Sequence, residues 1–266
     1  MTILALDFSS PQRSVAVLQP NSRRDELHES LSPPLSEKSG TRGIRPPNTI
    51  FEAVETGGRG TNAFRMIEQA LSEAKIEREQ IDVLAVGLGP GSYTGIRAAI
   101  SLAQGWQLAF AEPERDNSSQ TMASAQRRLA RGVKLMGVSS AETIAAQARA
   151  EKIHGRVNVV IDAQRNEFYL ATYEIAADGW REIAPLKILK KAEVQSRVDG
   201  GEILIGPEVT KWFPSGRTIF PRAAALAELA ALRNDFVPGE KLEPIYLRET
   251  NFVKAPPRRT GDIGRQ

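Results

Sequence analysis

The sequence predicts an α/β protein built from two similar lobes, and three observations carry that expectation. Strand-length apolar runs alternate with helix-length segments along the 266 residues. Leu4-Ala-Leu-Asp7, a short turn and a second apolar run reappear as Val159-Val-Ile-Asp162, another short turn and another run. Each half therefore opens with a hairpin whose first strand delivers a carboxylate to its C-terminal end. Finally, Val86-Gly-Leu-Gly-Pro-Gly-Ser-Tyr-Thr-Gly95 sets a glycine-rich turn between a buried strand and an apolar helix.

The elements come in the following order. Ile3–Phe8 and Ser14–Leu18 are apolar runs at hairpin spacing, with a weaker strand at Glu26–Leu31. Ser32–Gly60 contains Pro33-Pro34, Pro46-Pro47 and Gly57-Gly-Arg-Gly60, and reads as a loop or insertion. Thr61 can cap a helix through about Ala74, and Gln80–Leu88 is a buried strand feeding the glycine turn. The next helix, about Thr94–Ala111, meets a second polar insertion, Glu112–Arg131. Lys134–Val138 is a strand. Ser139-Ser-Ala-Glu142 has the capping-box pattern, opening a helix to about Lys152. Arg156–Ile161 and Phe168–Ile175 form the second hairpin. Glu202–Ile205 is a further strand, Arg222–Arg233 a helix and Ile245–Leu247 a terminal extended piece.

Bulk properties exclude several classes. Thirty-five basic against 32 acidic residues is too even for a nucleic-acid binder, and the basic residues of 249–266 read as a solvated tail. With no cysteine, disulfides, thiolate metal sites and cysteine nucleophiles are ruled out. The two histidines, His28 and His154, form no metal-binding pair. Thr2–Asp7 shows no basic leader or cleavage signature, and no apolar run reaches the length of a membrane span, so a cytoplasmic protein is expected.

Two facing lobes that each present an aspartate have the layout of the actin, hexokinase and Hsp70 (ASKHA) class, paired RNase-H-like lobes around a Mg-nucleotide. The first lobe is expected at 1–111, with its insertion at about 32–60 and a completing helix near 222–235. The second is expected at 133–221, with 112–132 as linker. On that layout Asp7 and Asp162 would face each other across a cleft and handle Mg²⁺. Ser9, Ser10 and the turn residues Gly89, Gly91, Ser92 and Thr94 would then lie near phosphate, since glycines allow close backbone approach and helix N-termini favour anions. The turn nevertheless fits neither a Walker loop, which needs lysine after its closing glycine where Ile96 stands, nor G-x-G-x-x-G. On composition alone, a tight strand-to-helix turn that binds nothing is the preferred reading.

The helices on either side of that turn carry apolar residues on more than one face: Ala63, Phe64, Met66, Ile67, Ala70 and Leu71 in the first, Ile100 and Ala103 in the second along with Ala98, Leu102 and Trp106. One stripe of each can pack on a sheet, leaving the other for a neighbour.

Gly89-Pro-Gly-Ser-Tyr-Thr-Gly-Ile-Arg97 closely resembles the signature of the TsaB (YeaZ) family. The likeness extends to Ile3–Ser10, Val138–Glu142, Ile161–Arg165 with Glu167 and Tyr169, and Pro244–Arg248. These blocks keep family order and span nearly the whole chain outside the two insertions. The resemblance implies a non-catalytic subunit of tRNA threonylcarbamoyladenosine (t6A37) biosynthesis. Such a subunit binds and supports the catalytic TsaD together with the ATPase TsaE, and touches tRNA only through the complex. It implies no catalytic residue and no metal in this chain: where TsaD has paired histidines, this sequence reads Asn62-Ala-Phe-Arg-Met-Ile67. The implied partner surface is formed by the two helices above, with Arg97, Gln104 and Gln107 joining their apolar residues, and a homodimer through the same helices is implied too. No cofactor is assigned to the chain itself, and Mg-ATP or ADP would belong to the interface of the complex. Tyr93 replaces the family's usual phenylalanine, and Gln164 stands where arginine is usual. An ATP-dependent phosphotransferase of the actin-like fold is the alternative reading, and a glycoprotease-type metallopeptidase a weaker one.

Overall fold

A computed structural model of the chain describes residues 1–20, 48–57, 62–110 and 132–248. The weak strand expected at 26–31, the insertion at 112–131 and the tail at 249–266 lie outside the described residues.

The strands are β1 (Ile3–Asp7), β2 (Gln12–Gln19), β3 (Thr49–Thr56), β4 (Val83–Gly87), β5 (Lys134–Val138), β6 (Gly155–Asp162), β7 (Glu167–Ile175), β8 (Trp180–Lys190), β9 (Ile203–Gly206) and β10 (Arg217–Thr218). The helices are α1 (Ala63–Ala74), α2 (Tyr93–Ala109), α3 (Ser140–Ala150), α4 (Lys191–Asp199) and α5 (Ala223–Ala231). Two five-stranded sheets result, in the orders β3-β2-β1-β4-β5 and β8-β7-β6-β9-β10. Within each, the first three strands are antiparallel neighbours and the last two run parallel to the first. The two sheets thus share one topology, and the repeat read from Asp7 and Asp162 extends over whole sheets.

The central strands β1 and β4 are buried along their full length, as a continuous apolar run demands when both faces of a sheet are covered. One face of the first sheet packs on α1 and α2 through Leu4, Leu6, Leu84 and Val86. The other, through Ile3, Ala5, Val83 and Ala85, packs on α5, which returns from the far end of the chain. In exchange, α3 leaves the first sheet to pack on β6, β7 and β8 of the second, and touches α5. Each lobe therefore lends a helix to the other, which interlocks them.

Four expectations need correction. The stretch Ser32–Gly60 is not all loop: Thr49–Thr56 is β3, paired antiparallel along all of β2. Its β-branched and aromatic residues suit an edge strand, but the prolines and glycines around it obscure the pattern. Strand β5, assigned by chain order to the second lobe, pairs in parallel with β4, so the first lobe extends through Val138. The elements β8 and α4 have no counterpart in the expected order. Strand β8 is an edge strand that tolerates Pro185, and α4 buries only Val194, so neither shows an apolar stripe. The capping box at α3 forms only in half. Ser139 caps the helix by accepting from the Ala141 amide, while Glu142 turns away to pair with Arg233 beyond α5.

Candidate functional site

Three chain segments meet between the lobes: the β1–β2 turn, the glycine turn and the β6–β7 turn. They line a cleft of about 630 Å³ that includes Ser9, Ser10, Gly91, Ser92, Thr94 and Asp162. Tyr93, Tyr169 and Tyr246 add aromatic walls, and Arg13 and Glu208 add charge of both signs. Tyr169 and Tyr246 belong to family-like blocks, but no motif marks them for a site. Arg13 and Glu208 carry no sequence signal that singles them out.

The glycine turn is clamped by backbone. The Ser92 amide donates to the Ser9 carbonyl at 2.7 Å. A Cβ on Gly91 would fall 2.1 Å from that carbonyl oxygen, and one on Gly95 would fall 1.9 Å from the Phe8 oxygen. The glycines therefore exist for contact with the neighbouring turn. Ser92 caps α2 by accepting from the Gly95 amide.

Asp7 and Gly89 lie behind the cleft and do not line it. Asp7 is fully buried; its Oδ1 accepts from the Ser9 amide at 2.9 Å and the Ser9 hydroxyl at 2.6 Å, and its Oδ2 accepts from the Ser140 hydroxyl at 3.2 Å. Gly87 closes the other side, where a Cβ would fall 2.2 Å from Oδ2. Burial raises the Asp7 carboxyl to a pKa of about 6 against the opposing pull of these hydrogen bonds. Ser140 also exchanges hydrogen bonds with Gly89, so Asp7 ties the glycine turn to the start of α3. Asp162 makes the same turn as Asp7, accepting from the amide two residues on, Gln164, at 2.7 Å. Asp162 reaches the cleft and Asp7 does not. The facing pair of aspartates expected for Mg²⁺ is not formed, and the residues present do not fit a magnesium–phosphate site of that kind. The described residues contain no group of three or more His, Cys, Asp or Glu able to hold a metal ion.

A C-terminal strap spans the two lobes. The Ile245 amide donates to Leu88 at 2.9 Å, and Tyr246 stacks on Tyr93 with ring centroids 5.5 Å apart. Arg248 donates to Glu167 at 2.6 Å and to the Ala163 carbonyl at 3.0 Å. The motif at 244–248 is therefore a fastener. Arg248→Ala should lower the melting temperature by about 2–6 °C, since a half-buried, charge-assisted pair contributes about 1–2 kcal/mol. It should also speed proteolysis after residue 243. An unchanged melting curve and cleavage rate would show that the strap holds without it.

The helical face is narrower than expected. Ala63, Met66, Ile67, Ala70 and Leu71 of α1 and Ile100 and Ala103 of α2 are buried against the chain's own sheet. Gln104 and Gln107 are half-buried and engaged internally, both hydrogen-bonded to Gly239. Of the residues named for a partner, Phe64 (71% exposed) and Arg97 remain available, and Leu108 (77% exposed) joins them. Trp106 packs half-buried against Phe110, its buried indole N–H without a hydrogen-bond partner.

Two sheets of one topology, an inter-lobe cleft and a strap across it define a duplicated two-lobed α/β protein. Comparisons with known proteins narrow the class. The chain is 28% identical over 280 residues to the tRNA threonylcarbamoyladenosine biosynthesis protein TsaB of Haemophilus influenzae, covering 97% of this chain and 98% of that protein. It is 27% identical over 265 residues to the TsaB of Escherichia coli, covering 93% and 95%. The family "TsaD: tRNA N6-adenosine threonylcarbamoyltransferase" matches residues 60–114, the span from α1 to the end of α2. The structure of YeaZ from Pseudomonas aeruginosa has the same fold, with a TM-score of 0.63 and 24% identity over 92% of this chain and 99% of that one. Along nearly its whole length the chain is thus similar to proteins named TsaB and shares the fold of YeaZ. No helix among the described residues is long and apolar enough to cross a membrane.

Proposed function

We propose that the chain is a non-catalytic subunit in tRNA threonylcarbamoyladenosine biosynthesis, where it binds and supports a TsaD-like catalytic subunit. Full-length likeness to proteins named for that pathway supports the reading. So does a specific observation: the TsaD family matches residues 60–114, the segment that carries exposed Phe64 and Leu108. Two chains that share such a segment can pack it against each other as a pseudo-symmetric pair, as like surfaces do in two-fold dimers. The shared sheet topology and exchanged helices support paired RNase-H-like lobes of the actin/hexokinase/Hsp70 type. In this reading a TsaE-like ATPase joins the complex and any Mg-ATP or ADP sits at the complex interface. A homodimer uses the same helices when the partner is absent, tRNA is met only through the complex, and the setting is cytoplasmic.

Calorimetric titration with the TsaD-like partner should give saturable binding. Phe64→Asp should weaken it about thirtyfold, the effect of removing an interface anchor worth about 2 kcal/mol. The melting temperature should not change, because the ring is exposed. Absence of binding by the wild-type chain would sink the subunit reading; undiminished affinity in the variant would move the interface off α1. In cells lacking their own TsaB, the chain should restore threonylcarbamoyladenosine in digested tRNA.

A further inference from the structure

The exposed aromatic and guanidinium groups of the first lobe gather at one end. Strands β1, β3 and β4 run in one direction. Helix α1 follows β3 and α2 follows β4, so both helices start at the same edge of the sheet. That edge borders the cleft, which Gly57, just after β3, and Thr94 both line. The two helices also pack on the same sheet face. Their first turns therefore present Phe64 and Arg65 from α1, and Tyr93 and Arg97 from α2, all exposed. The strap adds Tyr246, 45% exposed and stacked on Tyr93. Aromatic rings and arginines are the residues that most often anchor protein interfaces.

Within this cluster Arg97 is held by its own chain. Its Nη1 donates to the Tyr93 hydroxyl oxygen, and its guanidinium lies over the Tyr93 ring, 5.2 Å from the centroid. A phenylalanine, usual at this position in the signature that the turn resembles, would keep the ring contact and lose the hydrogen bond. An exposed arginine ordinarily gives up rotamer freedom when it meets a partner; one already fixed by a neighbour gives up less.

The chemistry of the pair is one-sided. The Tyr93 oxygen accepts from Arg97, which leaves its own O–H to donate, and Arg97 keeps its remaining N–H donors. A positive, donor-rich pair of this kind complements a carboxylate. The described chain does not supply one. Arg97 is the only charged residue of α2, and it forms no ion pair among the described residues.

We propose that Tyr93 sets a partner preference for this chain: it holds Arg97 in place to clamp a carboxylate side chain of the TsaD-like subunit, and Tyr246 continues the contact onto the strap. The inference rests on the subunit reading above, and adds to it the group the partner must carry opposite the first turn of α2, an aspartate or glutamate.

The test is calorimetric titration of the full chain with the TsaD-like partner at low and high salt. Arg97→Met should weaken binding about tenfold and remove much of its salt dependence, the usual effect of deleting a charge-assisted hydrogen bond. Tyr93→Phe should weaken it severalfold. The double variant should bind no worse than Arg97→Met alone, because the hydroxyl acts through Arg97. A merely structural role for Tyr93 would instead lower affinity equally in both backgrounds. Tyr93 is 55% exposed and Arg97 is exposed too, so all three variants should melt as the wild type does. Additive losses in the double variant, or undiminished affinity in Arg97→Met beside a weakened Phe64→Asp, would overturn the clamp and leave the docking face standing. No binding by the wild-type chain would overturn both. Binding of free tRNA by the chain, lost in Arg97→Met, would overturn the carboxylate in favour of a phosphate.

Discussion

Replacing Gly95 by alanine should destabilise the protein by about 3 kcal/mol, whereas Gly105→Ala, ten residues further along the same helix, should stabilise it. In an exposed helix interior alanine is favoured over glycine by about 1 kcal/mol, because glycine loses more backbone entropy on folding. Gly105 is that case: it is exposed, and an added Cβ meets nothing within 4 Å. At Gly95 the same propensity gain is overwhelmed. The new methyl would lie 1.9 Å from the Phe8 carbonyl oxygen, backbone that cannot rotate away. Relief requires α2 to move off the β1–β2 turn, which strains the core and breaks the 2.7 Å hydrogen bond from Ser92 to Ser9. Overpacking of this kind costs about 1–3 kcal/mol, and the lost backbone bond about 1 more. In a protein of this size the difference corresponds to a fall of roughly 6–12 °C in melting temperature for Gly95→Ala and a rise of a few degrees for Gly105→Ala. Scanning calorimetry of both variants checks it. Equal shifts of one sign would mean that the turn is not packed against Phe8, and the phosphate-loop explanation of its glycines would regain ground.

The glycine turn also shows where sequence reasoning stops. Its composition favours a tight turn but leaves a phosphate cradle open, because both need residues that tolerate close approach. What separates them is the identity of the approaching group, here the carbonyls of Phe8 and Ser9, contributed by a segment some eighty residues away. The repeated strand–aspartate–turn pattern is legible because it is local: an aspartate at the end of a strand accepting from the amide two residues on needs only its own turn. The roles of the two copies are not. Asp162 reaches the cleft, whereas Asp7 is closed off by Gly87 and Ser140, neither of which periodicity or spacing connects to it.

The apolar helices show a related limit. Two stripes on α1 and α2 suggest a surplus for a partner. The first sheet absorbs more of it than the pattern implies, since β3 widens that sheet under α1 and is itself hidden among prolines and glycines. The boundary between the lobes is obscured for a similar reason. Strand β5 joins β4 across a long polar segment and so closes the first sheet, while α3, directly after β5 in the chain, packs on the second. Such long-range pairing leaves no mark on local composition.

The pH dependence of stability should isolate Asp7. Its carboxyl has a pKa of about 6 in the folded chain against an ordinary value of 3.8. Below about pH 4 it is protonated in both states and contributes no pH slope. Between about pH 4 and pH 6 the unfolded chain ionises first, so the native state holds more protons and stability falls as pH rises. Above about pH 6 the contribution levels off. The difference between the two states corresponds to roughly 3 kcal/mol in total. Asp7→Asn retains an oxygen that can accept from Ser9 but cannot ionise. Relative to wild type, the variant should therefore gain about 3 kcal/mol between about pH 4 and pH 7, whatever fixed cost the amide carries at Ser140. Urea denaturation of both proteins at several pH values across that range reads the difference directly. Parallel stability profiles would mean that the buried carboxyl titrates as it does in the unfolded chain. In that case hydrogen bonds from Ser9 and Ser140 fully offset its loss of water, and Asp7 would be a stabilising anchor at neutral pH, not a strained one.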